Sequence, residues 1–102
     1  MIGYDFNGVV DTGRFVPTPN DVIITGNTIP MAKSVIVWLL EHNIFCAVYF
    51  QPLLYGANNM IISAIWKAKM INELKLDKFY EDDLTQYEII RNYCPSCEVI
   101  KV

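Results

Sequence analysis

Short runs of β-branched and aromatic residues recur along this chain between longer stretches whose apolar residues step by three and four. That alternation constrains the fold more than any other feature of the sequence, because period two and period 3.6 demand different backbones. Ile2 to Phe6, Val22 to Ile24, Ile44 to Phe50, Lys78 to Tyr80 and Glu98 to Val102 read as strands. Pro30 suits a first helical position, Ala32, Val35, Ile36, Leu39 and Leu40 follow at helical spacing, and Asn43 stops the helix just after His42. From Asn59 to Leu74 a second helix carries Ile61, Ala64, Ile65, Ala68, Ile71 and Leu74 as its apolar stripe, and Thr85 to Asn92 forms a third with Ile89 and Ile90 inward. Strands alternating with helices imply crossover connections. The expected fold is therefore α/β, a Rossmann-like parallel sheet of about five strands with helices on both faces.

With 102 residues and no repeat or linker-like tract, residues 1–102 are expected to form one domain. A composition 53% hydrophobic and only 19% charged excludes intrinsic disorder. The net charge of −3 removes the general attraction that dominates binding to a nucleic-acid backbone. The longest apolar stretches, Val35 to Leu40 and Ile44 to Phe50, are split by Glu41, His42 and Asn43, so neither spans a bilayer and no membrane partner is expected. No basic leader precedes the first strand, and the three cysteines are an odd number, which together point to a cytoplasmic chain with reduced thiols. Cys94 and Cys97 have the spacing of redox and zinc sites. They precede a strand rather than open a helix, and only Cys46 and His42 remain as further zinc ligands, so the pair reads as a loop feature and His42 as a helix-end residue.

In open parallel sheets, ligands bind beyond the carboxyl ends of the strands, where the strand order reverses. Asp5 and Asn7 follow the first strand, Thr25 the second, and Glu81, Asp82 and Asp83 the fourth. Carboxylates from different strands brought to one edge repel unless a cation lies between them, and hard oxygen donors favour magnesium (Mg2+). Thr25 as a hydroxyl donor and Lys67 as a cation would make the same edge a cradle for a phosphoryl group. Plainer readings stand beside these: Thr25 starts a turn, Lys67 is a solvated helix lysine, and the acids merely favour a helix N-terminus.

These residues, taken in order, resemble the four motifs of the haloacid dehalogenase-like phosphohydrolases. Ile2 to Val10 is similar to the first motif, with Asp5 as nucleophile and Asn7 at the second acidic position; Val22 to Gly26 resembles the second, ending in Thr25. Lys67 matches the third-motif lysine, with Lys69 in reserve, and Phe79 to Asp83 resembles the acidic fourth motif. The resemblance implies a Mg2+-dependent phosphomonoesterase working through an aspartyl phosphate on Asp5. It implies phosphate binding by Thr25, Gly26 and Lys67, and metal binding by Asp5, the Asn7 carbonyl and Asp82, with Glu81 and Asp83 in support. The substrate would be a small phosphorylated molecule or a phosphorylated macromolecular end. Two features depart from the family pattern. Asn7 cannot transfer protons where an aspartate is expected, which removes the 10²- to 10⁴-fold that general acid–base catalysis contributes. It leaves an inactive phosphate- and Mg2+-binding or interaction module as the alternative. The connection from Gly8 to Asp21 is too short for a crossover helix or a cap domain and is expected to hold a flap hairpin.

Overall fold

The computed structural model describes residues 1–53 and 59–102. Five strands form one all-parallel sheet: β1 (Ile2–Tyr4), β2 (Val22–Thr28), β3 (Ala47–Gln51), β4 (Lys78–Glu81) and β5 (Glu98–Lys101). Among the described residues three α-helices cover it: α1 (Ala32–Glu41), α2 (Met60–Leu74) and α3 (Leu84–Tyr93). The α/β expectation is met. Strand alternation divides the core into two layers. Val22, Ile24, Phe79 and Val99 pack with Ala64, Trp66, Ala68, Ile71 and Ile90 on the α2 and α3 face, whereas Tyr4 and Ile23 pack with Val35 and Leu39 on the α1 face.

The spatial order is β3-β2-β1-β4-β5. The chain thus leaves β1 in one direction through β2 and β3, then returns across the sheet to β4 on the other side of β1. The order reverses between β1 and β4, and the crevice at their carboxyl ends is the place where such sheets take ligands.

Local differences from the sequence expectations have identifiable causes. The third strand begins at Ala47 rather than Ile44, because Asn43 adopts a left-handed conformation (φ 56°) that ends α1. The Asn43 and Ile44 amides donate to the Leu40 and Leu39 carbonyls at 3.1 and 2.9 Å, a Schellman closure that consumes Ile44 as its apolar contact. No hairpin occupies the connection from Gly8 to Asp21. A 3-10 turn at Val10–Thr12 and extended chain take its place, since Val9 and Val10 are fully buried under the α1 face and hold the segment down. Helix α2 is rotated from its apolar stripe: Ser63, Trp66 and Lys67 are buried beside Ala64, Ala68 and Ile71, whereas Ile61 and Ile65 are exposed. In α1, likewise, only Val35 and Leu39 are buried, with Ile36 and Leu40 exposed. Among the described residues, no helix is long and apolar enough to cross a membrane.

Candidate functional site

A cleft of about 370 Å³ opens at the reversal point, with Asp5, Asn7, Gly26, Asn27, Lys67 and Asp82 in its walls. Asp5 stands one residue past β1, and its amide donates to the Tyr80 carbonyl at 3.0 Å, which extends the β1–β4 pairing and fixes the carboxylate at the rim. Asp5 Oδ1 accepts from the Phe6 amide at 2.9 Å and from Lys67 Nζ at 3.1 Å. Lys67 also donates to Glu81 Oε1 at 2.9 Å and to Gln86 Oε1 at 2.7 Å. The lysine side chain is 3% exposed, so the plain reading of a solvated helix lysine does not hold. Lys69, two residues on, lies on the exposed side of α2, 4.0 Å from Glu73, and takes no part in the cleft.

Burial would be prohibitive for this ammonium alone. Its two carboxylate partners raise its proton affinity beyond what desolvation removes, and Lys67 stays charged. Asp5 is held well above its ordinary range, chiefly by desolvation; Lys67 pulls it down, while Glu81 pushes it further up. Glu81 is fully buried and engaged at both ends, since its Oε2 accepts from the Asp83 amide at 3.3 Å. Asp83 caps α3 by accepting from the Gln86 amide at 2.8 Å. The fourth-strand acids therefore divide their work: Glu81 buttresses the lysine, Asp83 starts the helix, and Asp82 faces the cleft.

Asp82 has the feature that a cation site requires. Among the described residues nothing hydrogen-bonds to its carboxylate, although it is half-buried, and oxygen atoms of Asp5, Glu81 and Asp82 lie within 4.8 Å of one another. Gly8 permits that placement. It has φ 80°, and a Cβ there would run into the Asp82 carboxylate. Four carboxylates and one ammonium line the cleft, a balance that repels a phosphate dianion unless a divalent cation is added.

The opposite wall is neutral. Between Thr25 and Thr28 strand β2 advances three residues while β3 advances one, from Phe50 to Gln51, a bulge that carries Gly26 and Asn27 into the cleft. Thr25 itself is fully buried and outside the lining. Its hydroxyl accepts from the Asn27 amide at 3.1 Å and from Asn27 Nδ2 at 2.9 Å, local bonds that hold the turn of the bulge inside β2. Asn27 Nδ2 also donates to Asn7 Oδ1 at 2.7 Å, and Asn7 Nδ2 donates to Asp11 Oδ2 at 3.4 Å.

Sequence reasoning brought Asp5, Asn7, Gly26, Lys67 and Asp82 to one rim, and the structure joins them there, with Thr25 one layer beneath. It missed Asn27 and Gln86. Asn27 lies past the expected end of its strand, and the bulge that presents it leaves no mark in hydropathy. Gln86 did leave a signal, because Asp83 followed three residues later by glutamine is a capping-box pattern. Cys94 is buried at the end of α3 with Sγ donating to the Ala68 carbonyl at 3.4 Å, and burial pushes both Cys94 and Cys97 thiols up to about 11. Neither behaves as a reactive thiol. No protein-family model matches the chain, and no match is found among curated proteins or solved structures.

Proposed function

We propose that this protein is a Mg2+-dependent phosphomonoester phosphatase of the haloacid dehalogenase-like kind, without a cap, slowed by asparagine at its proton-transfer position. The observation that carries the reading is Asp5 at the reversal point, bonded to the buried ammonium of Lys67 and near the Asp82 carboxylate, which has no hydrogen-bond partner among the described residues. Asp5, Asp82 and the Asn7 carbonyl would hold the ion. When bound, magnesium supplies positive charge that neutralises phosphoryl oxygens.

In this reading an Asp5 carboxylate oxygen attacks phosphorus while the ester P–O bond breaks and its electron pair leaves with the alkoxide. Lys67 and the Gly26–Asn27 bulge hold the transferring group. Water must protonate the leaving oxygen, because the Asn7 amide is too weak an acid to give up a proton. A second water then hydrolyses the aspartyl phosphate, restoring the carboxylate and releasing inorganic phosphate. Screening phosphomonoesters with magnesium tests this. Asn7→Asp should raise turnover by about 10²-fold or more, and an Asn7→Asp protein no faster than its Asp5→Asn control would refute catalysis.

One observation favours a second reading, a phosphate- and Mg2+-binding module without turnover. The Asn7 amide is engaged on both sides, accepting from Asn27 and donating to Asp11, as a residue selected for an amide would be. Such a module binds phosphorylated ligands with Asn7 in place and gains no activity when aspartate is installed, which calorimetry and the same assay separate.

A further inference from the structure

We infer that Gln86 is an internal ligand of the anion site, occupying the Lys67 proton that a phosphoryl oxygen must take, and that it swings aside when an anion binds. The inference rests on the reading of this cleft as a phosphoryl site. An ammonium group has three donors. In this structure Asp5, Glu81 and Gln86 account for all three, and the Gln86 bond is the shortest at 2.7 Å. An incoming phosphate can bond to Lys67 only by replacing one of them. Releasing Asp5 or Glu81 would leave a buried carboxylate without its counter-charge, the costliest change available here. Gln86 is neutral, only half-buried, and part of the cleft wall, so it is the partner that gives way.

Gln86 also has somewhere to go. It occupies the third position of α3 behind the Asp83 cap, where a glutamine side chain ordinarily reaches back to the amide of the capping residue. Only half of that reciprocal arrangement is present. The Gln86 amide donates to Asp83, but the Asp83 amide donates to Glu81 Oε2 over a long 3.3 Å, and the Gln86 side chain is on Lys67 instead. Completing the capping box would satisfy Gln86 after an anion displaces it. The residue therefore has two bonded positions, one closing the site and one open, and sets the affinity of the cleft for phosphate.

Calorimetric titration of inorganic phosphate at fixed magnesium chloride tests this on the wild type and three variants. Gln86→Ala and Gln86→Met, which remove the competing acceptor with and without its volume, should each tighten phosphate by about tenfold or more, the net effect of one hydrogen bond to a charged group. Gln86→Glu should weaken it by at least as much, because a carboxylate holds the ammonium more strongly than an amide does. A purely structural support would behave differently, with Ala and Met loosening Lys67 and weakening phosphate. Unchanged or weaker binding in the Ala and Met proteins, with the wild type binding, overturns the role of Gln86 alone. Absence of phosphate binding from all four proteins overturns the anion site and this role together.

Discussion

On the β4 flank of the cleft, Lys67 bonds two carboxylates and Gln86 in a setting that is almost closed to water; on the β2 flank, Asn27 joins Asn7 to Thr25 without a charge. The flanks face each other across one strand, yet they depend on different energies. The charged flank is held by mutual neutralisation, so removing any member exposes the others to a low-dielectric interior. The neutral flank is held by ordinary hydrogen bonds, each of modest net value. Substitutions on the two sides should therefore differ in size and in their response to pH, salt and magnesium.

The largest effect is expected at Lys67. Lys67→Met keeps most of the side-chain volume but strands Asp5 and Glu81, and breaking such a buried pair from one side costs about 3–5 kcal/mol. Denaturant unfolding should show it as a fall in midpoint. A loss no greater than that of a surface lysine such as Lys69 would mean that the charged flank is not held by its ions.

Magnesium comes next. An ion shared by Asp5 and Asp82 stabilises by mass action, about 2.7 kcal/mol at one hundred times its dissociation constant. Thermal melts should register that gain in the wild type and not in Asp82→Ala, and an identical shift in both would move the metal elsewhere. Without the ion the pH response has a definite sign. The proton affinity of Asp5 is raised in the folded state, so the folded protein binds more protons than the unfolded chain above 3.8, the ordinary value for an aspartate. Stability contributed by the protonated group is complete below that value and is lost as pH rises through the raised folded value. Asp5→Asn should flatten this slope in magnesium-free melts across the mildly acidic range. A slope unchanged by the substitution would assign it to another group.

How the two flanks were legible in the sequence follows from the same contrast. Asp5 could be read because it follows an apolar strand, where a carboxylate has few structural uses, and Asp82 because it stands in the acidic run after the fourth strand that resembles a family motif. The strands themselves were legible through their apolar runs, whereas the order in which they pair, with its reversal between β1 and β4, is known only from the structure. The burial of Lys67 was not legible, since its partners lie 62 and 14 residues away and periodicity is a local signal. That burial also turned α2 so that Ile61 and Ile65 face outward, against the stripe their spacing suggests. Thr25 was read as a phosphate donor because only its place at a strand end was visible. Its bonds to Asn27 depend on a bulge that pairing with β3 creates.

On the neutral flank, Thr25→Val should cost about 1 kcal/mol, because the half-buried Asn27 amide loses the buried hydroxyl that accepts its hydrogen bond. Thr25→Ser, which keeps the hydroxyl, should recover most of the loss in the same unfolding experiment. A loss in Thr25→Val no greater than that in Thr25→Ser would mean that the hydroxyl bonds to Asn27 do not hold this flank.

The smallest expected change in stability is the most informative for function. Asn7→Asp replaces an amide nitrogen 3.4 Å from Asp11 Oδ2 by a carboxylate oxygen, so an attraction becomes a repulsion between exposed like charges. Water screens such pairs, and the cost should be about a few tenths of a kcal/mol. It should shrink further in added salt. Asn7→Asp also keeps an acceptor for Asn27 Nδ2, so the neutral flank stays joined through Asn27. Removing the repelling partner sharpens the comparison. Asp11→Asn in the Asn7→Asp background should restore stability to the wild-type value, while any turnover gained from Asn7→Asp persists, because Asp11 lies outside the cleft. Loss of that turnover in the double variant would place Asp11 in the proton-transfer path and join the two flanks in one mechanism.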